Sequence, residues 1–108
     1  MSNKLLKGKR VLITQAEAFM GPVLCEVFAE HGALVIPSTQ SLVDPEAPAT
    51  LIAAAGEIDV LVANLALPAP STPATDVSDI EWRETFAVLV DPLPRLVRAV
   101  LPQMIERH

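Results

Sequence analysis

Apolar residues alternate along the chain between short continuous runs and runs with helical spacing. Three aliphatic, β-branched runs at Arg10–Thr14, Ala33–Ile36 and Asp59–Ala63 predict buried strands. Between them, apolar residues three and four positions apart over Val23–Glu30 predict one helix, and the alanine-rich stretch Asp44–Ala55 predicts another. The order β-α-β-α-β predicts a parallel sheet with right-handed crossovers.

The last third of the chain is predicted to be a stiff loop followed by a long helix. The loop is rich in proline, which makes it extended. The run Ser78–Glu81 (SDIE) forms a capping box that begins the helix, and apolar residues at helical spacing continue to Met104. Pro92 and Pro94 must kink or split this helix, since proline disrupts the helical hydrogen-bond ladder.

Composition narrows the class of protein. The 108 residues are enough for one small domain, and 51% of them are apolar with no tyrosine, which suits an aliphatic core of parallel strands. The net charge of −5 and the absence of a basic stripe argue against nucleic-acid binding. Cys25 is the only cysteine, so no internal disulfide can form, and we predict no metal site. Without a signal peptide or a membrane-length apolar run, we expect a cytoplasmic protein and no membrane partner.

Three segments resemble a known family. KGKRVLIT, GEIDVLVAN and RAVLPQM resemble the short-chain dehydrogenase/reductase family in order and spacing, over essentially the whole chain. The resemblance implies that residues 1–108 are the N-terminal half of a single Rossmann-type domain. This half is the β-α-β-α-β-α portion of an α/β fold, a parallel sheet with helices on both faces. In the family, the helix containing RAVLPQM precedes the strand that carries the catalytic serine.

The loop after the first strand departs from the family pattern, which is Thr-Gly, three residues, Gly-x-Gly. Gln15 and Phe19 stand at the first two glycine positions, and only Gly21 remains. The first glycine makes a tight turn and the second lets the backbone approach a pyrophosphate. We therefore expect the Phe19 ring to fill the phosphate space, with Glu17 adding an unfavourable negative charge.

The nucleotide site has lost further features. The second strand ends in Pro37-Ser38, with no acidic residue for a ribose hydroxyl and no arginine for a 2′-phosphate. After the third strand the family's Asn-Ala-Gly becomes Asn64, leucine and alanine, and Asn64 is expected to brace local backbone. The position of the family's asparagine on the long helix is Leu89.

One branch of the family, the halohydrin dehalogenases, has Thr, four residues, an aromatic residue, one residue and Gly in this loop. Thr14, Phe19 and Gly21 match that pattern. The resemblance implies an enzyme (a lyase) that converts a haloalcohol to an epoxide and halide, with no cofactor. It implies a halide or substrate pocket formed by Phe19, Leu65, Leu67, Pro68 and Pro70.

Two alternatives remain. One is an NAD(P)-dependent short-chain oxidoreductase with an atypical glycine loop, in which NAD or NADP would contact Thr14, Gln15, Met20, Gly21 and Asn64. The other is a non-catalytic half-domain that binds a partner.

The family's catalytic Ser, Tyr and Lys or Arg follow the last helix of this chain, so no catalytic residue is assigned and residues 1–108 alone are expected to be inactive. The expected partners are the C-terminal half of the fold, as a second chain or in a longer polypeptide, and a small-molecule substrate. The complete fold is expected to be a homo-oligomer. The apolar third strand would otherwise leave an open edge.

Overall fold

The computed structural model describes residues 4–68 and 71–108, and it confirms the predicted α/β architecture. Three parallel strands, β1 (Arg10–Ile13), β2 (Leu34–Pro37) and β3 (Val60–Val62), form a sheet in the order β2-β1-β3. The helices are α1 (Gly21–Glu30), α2 (Ala47–Ala55), α3 (Asp79–Leu89) and α4 (Pro92–Arg107). A single 3₁₀ turn at Ala74–Asp76, which the sequence pattern did not predict, precedes α3.

The central strand β1 supplies the core on both faces of the sheet. Leu12 points into a cluster with apolar residues of α2 and α4, including Leu51 and Leu96. Val11 and Ile13 point to the opposite face, where they pack against residues of α1. All three β1 side chains are fully buried, which explains why this strand is continuously apolar.

Helix boundaries follow local turn chemistry. The first helix begins at Gly21, two residues before the predicted start at Val23, with proline in its first turn, where the missing N–H costs nothing. The second helix begins at Ala47 rather than at Asp44. The Asp44 carboxylate accepts a hydrogen bond of 2.8 Å from the Glu46 N–H, and this local turn competes with helix formation.

The predicted long helix is split into α3 and α4, as its prolines require. Ser78 caps α3 by accepting a hydrogen bond of 3.1 Å from the Glu81 N–H. The Glu81 carboxylate instead accepts a bond of 2.9 Å from the Thr72 hydroxyl, so the capping box is half formed. Pro92 and Pro94 both lie in the first turn of α4, where backbone N–H groups need no helical acceptor.

The two outer edges of the sheet remain unpaired by other strands within the described residues. The edge of β3 away from β1 is one of them, and its three residues are half-buried. In the part of the chain that the structure describes, no helix is long and apolar enough to cross a membrane.

Candidate functional site

The loop from β1 to α1 is joined to the segment that follows β3. Thr14 is fully buried, and its hydroxyl donates a hydrogen bond of 2.8 Å to the Asn64 carbonyl oxygen. Because β1 and β3 are parallel neighbours, these two segments meet at the carboxyl ends of the strands. Ligands bind at this edge in open α/β sheets.

Two residues of this loop adopt the left-handed backbone conformation. Gln15 has a φ of 43° and Phe19 a φ of 52°, the two positions at which the family has glycine. An L residue in this region costs roughly 1–2 kcal/mol, because its Cβ approaches the following carbonyl oxygen. The loop therefore keeps left-handed backbone at both positions without the residue that adopts it readily.

Asn64 and Gln15 hold the loop in this conformation. The Asn64 side-chain amide donates hydrogen bonds of 3.0 Å to the carbonyl oxygens of Gln15 and Ala18. In return, the Gln15 side-chain oxygen accepts a hydrogen bond from the Ala66 N–H. Asn64 is buried, and its side chain braces backbone as expected, but the backbone of the β1–α1 loop rather than that of its own segment.

Gly21 permits close packing between this loop and the start of α1. A Cβ atom at Gly21 would overlap the carbonyl oxygen of Ala16, a backbone atom that cannot turn aside. This is the packing role expected of the third glycine. The N–H groups of Phe19 and Met20, just before the helix, have no hydrogen-bond acceptor among the described residues.

An apolar cleft of about 400 Å³ lies on one side of the loop. It is lined by Ala18, Phe19, Leu65, Ala66, Leu67, Pro68 and Leu89. The structure thus brings together four of the residues predicted to form a halide or substrate pocket, whereas Pro70 lies outside the described residues. The Phe19 side chain is 77% exposed and lines this cleft. An exposed ring can change rotamer, so it does not fix an obstruction at the loop.

A second, more polar cleft of about 250 Å³ shares Ala66 and Leu67 with the apolar cleft. Its polar lining residues are Gln15, Glu17, Thr39, Gln40 and Ser41. Sequence reasoning did not single out residues 39–41. Their position was nevertheless readable, because they closely follow β2 at the same edge of the sheet.

Two other residues that were predicted to contact a dinucleotide, Thr14 and Met20, differ in exposure. Thr14 is fully buried and offers its hydroxyl to the protein itself, while Met20 is half-exposed beside the loop. Within the described residues, no group of three or more His, Cys, Asp or Glu side chains could hold a metal ion.

A family model described as short chain dehydrogenase matches residues 45–108. A 2-keto-3-deoxy-L-fuconate dehydrogenase from Xanthomonas campestris pv. campestris is 34% identical over 97% of this chain and 41% of its own length. A solved structure described as a dehalogenation enzyme is 29% identical, with a TM-score of 0.83 over 95% of this chain and 51% of that one. The aldohexose dehydrogenase of Thermoplasma acidophilum shares the fold, with 23% identity and a TM-score of 0.80 over 94% of this chain and 46% of that one. The chain thus spans about half the length of the proteins it matches.

The expectation that the site works without a nicotinamide cofactor is wrong. The matching family model describes short chain dehydrogenases, and the Xanthomonas relative is a dehydrogenase. Hydride transfer by dehydrogenases uses a nicotinamide dinucleotide. The expectation assumed that a loop without the family's first two glycines could not keep the backbone conformation that a dinucleotide requires. A dinucleotide fits the left-handed backbone at Gln15 and Phe19, the N–H groups before α1 that lack an acceptor among the described residues, and the two adjoining clefts.

The family is established by the match of the short chain dehydrogenase family model to more than half of the chain, together with the parallel sheet and this loop. The chain belongs to the short-chain dehydrogenase/reductase family.

Proposed function

We propose that this chain is the N-terminal, dinucleotide-binding half of an NAD(P)-dependent short-chain oxidoreductase. The observation that carries the proposal is the pair of clefts that meet at Ala66 and Leu67, beside a loop that is left-handed at Gln15 and Phe19. A dinucleotide has one adenosine half and one nicotinamide half, so two adjoining clefts of different polarity suit it.

Each half of the cofactor has a candidate environment. The polar cleft, rimmed by residues 39–41, accepts the adenosine half, and the apolar cleft around Leu65 accepts the nicotinamide ring. The N–H groups of Phe19 and Met20 are the donors available to the diphosphate oxygens. When bound, the cofactor supplies the hydride acceptor, while the apolar lining of the larger cleft excludes water from the ring.

The chain itself does not supply the family's proton-transferring tyrosine, since it contains no tyrosine. We propose that a C-terminal half of the fold, as a second chain or as the rest of a longer polypeptide, supplies it together with the pocket for a small-molecule substrate. The outer edge of β3 offers this half a place to pair, because its N–H and C=O groups lack a neighbouring strand within the described residues.

We also propose that the complete fold forms a homo-oligomer through α4. Leu93, Val97, Leu101 and Ile105 are exposed at four-residue spacing along this helix. Such a stripe is typical of a helix surface that packs against another helix.

Equilibrium binding of NAD⁺ and NADH, followed by calorimetry and by NADH fluorescence, tests the main proposal. We expect dissociation constants on the order of micromolar, and loss of binding in Ala66→Trp, which fills the junction of the two clefts. Ala53→Trp places the same indole on the exposed surface of α2 and should bind normally. Absence of binding in the folded wild-type chain, or equal binding by both variants, contradicts the proposal.

A second candidate is the release of halide from a haloalcohol. It is supported by the 29% identity with a dehalogenation enzyme and by the four predicted pocket residues around the apolar cleft. Halide release by the complete fold, abolished by Leu65→Lys, would favour it over dinucleotide reduction. If the complete fold shows neither activity, that result would favour a non-catalytic half-domain that binds a partner.

A further inference from the structure

Among the residues that the structure describes, the polar cleft is lined by a carboxylate but by no cation. Of the described residues that line it, Glu17 is the only charged one. The eight lysines and arginines lie before or at the start of β1 and on α3 and α4, and none lines this cleft. The electrostatic character of the cleft is therefore set by a single negative group.

The Glu17 carboxylate lies in the cleft that follows the end of β2, where the adenosine ribose would bind. In Rossmann-type sites the adenosine ribose lies near the end of the second strand, where an acidic residue bonds its hydroxyl or an arginine holds a 2′-phosphate. Here β2 ends at Pro37, and the following Ser38, Thr39 and Gln40 are uncharged. Glu17 reaches the same cleft from the neighbouring β1–α1 loop.

We propose that Glu17 replaces the missing acidic residue of β2 and makes the site select NAD over NADP. This inference rests on the function proposed above. The carboxylate can accept a hydrogen bond from a ribose hydroxyl, which an NAD molecule offers. A 2′-phosphate takes the place of that hydroxyl and brings a charge of about −1.5 to −2 into a cleft whose described lining offers no compensating cation.

Calorimetric titration of the chain with NAD⁺ and NADP⁺ tests the proposal without requiring turnover. We expect NAD⁺ to bind at least about tenfold more tightly than NADP⁺ at low salt. The ratio should be smaller at about 0.5 M salt, where the screening length is about 4 Å. Glu17→Gln keeps the size and the hydrogen-bonding oxygen but removes the charge, so NADP⁺ affinity should rise by about tenfold with little change for NAD⁺. Glu17→Lys should invert the preference.

Glu26 provides the matched control, because it is an exposed glutamate on α1 that does not line the cleft. Glu26→Gln and Glu26→Lys change the net charge by the same amounts as the corresponding Glu17 substitutions. They should leave the ratio of NAD⁺ affinity to NADP⁺ affinity unaltered. Circular dichroism establishes that each variant is folded.

The possible failures are distinguishable. Equal wild-type affinities for the two dinucleotides, or a preference that persists in Glu17→Gln, would overturn the role of Glu17 while leaving the proposed function intact. Binding of neither dinucleotide by the folded chain would overturn the proposed function and this inference together.

Discussion

The left-handed backbone at Phe19 can be tested by the sign of a stability difference. Phe19→Gly and Phe19→Ala both remove the ring, which is 77% exposed, so the loss of side-chain burial is nearly the same in both. Alanine keeps the Cβ and the strain of about 1–2 kcal/mol at a φ of 52°, whereas glycine relieves it. Glycine in turn loses about 0.4–1 kcal/mol through the greater entropy of its unfolded chain. We therefore expect the Phe19→Gly protein to be more stable by roughly 0.5–1 kcal/mol.

Equilibrium urea unfolding, followed by circular dichroism, measures this difference directly. For a domain of this size, roughly 0.5–1 kcal/mol corresponds to about 2–4 °C in melting temperature, so thermal unfolding gives an independent value. Ala18 provides the matched control in the same loop, because its φ is not positive. There Ala18→Gly should destabilise the protein, by about 0.4–1 kcal/mol, as glycine does at an ordinary backbone position.

The reasoning fails if the Phe19→Ala protein is as stable as the Phe19→Gly protein or more stable. That outcome would mean that residue 19 does not require the left-handed conformation in solution. It would also remove the argument that the loop keeps its glycine-type path, and with it the main structural support for the fit to a dinucleotide.

Three further substitutions are tested by unfolding experiments, two of them at the site and one at the opposite edge of the sheet. Asn64→Ala removes two hydrogen bonds that brace the loop and should cost about 1–3 kcal/mol, whereas an unchanged urea midpoint would contradict the bracing role. Gly21→Ala forces a Cβ against the Ala16 carbonyl oxygen and should cost about 1–3 kcal/mol, measured as a lower melting temperature. The hydrogen bond that Asp59 accepts from the Arg10 N–H is the main cause that lowers the pKa of this carboxyl from 3.8. Its stabilisation is complete above pH 3.8 and is lost as the pH falls through the lowered pKa, so Asp59→Asn should flatten the acid limb of the stability curve; parallel curves would refute this.

Much of the fold could be predicted from the sequence because burial imposes a pattern on residue type. The central strand is buried on both faces and reads as a continuous apolar run, and the helices show apolar residues at helical spacing. The boundaries were less accurate. The third strand is Val60–Val62 rather than Asp59–Ala63, and at its start the Asp59 side chain accepts a hydrogen bond from the Arg10 N–H. The start of α2 moved because of the local turn at Asp44.

The candidate site was predicted in location but not in conformation. Residue type identified Gln15 and Phe19 as losses of glycine, and glycine is the residue that normally adopts a positive φ. What holds these residues is a side chain more than 40 positions away, since Asn64 donates to the carbonyl oxygens of Gln15 and Ala18. A pairing across that sequence separation leaves no signal in the local pattern.

In this loop the backbone keeps the conformation typical of glycine although the residues at these positions are not glycine. Two left-handed residues cost about 1–2 kcal/mol each, and three hydrogen bonds from the segment after β3 contribute about 0.5–1.5 kcal/mol each, so the opposing amounts are similar. The bracing segment thus substitutes for glycine in holding the loop. Once that is so, side chains become available on a loop where glycine would offer none. Phe19 lines the apolar cleft and Gln15 the polar one, so the two residues that the sequence pattern marked as losses of the site instead change its chemistry.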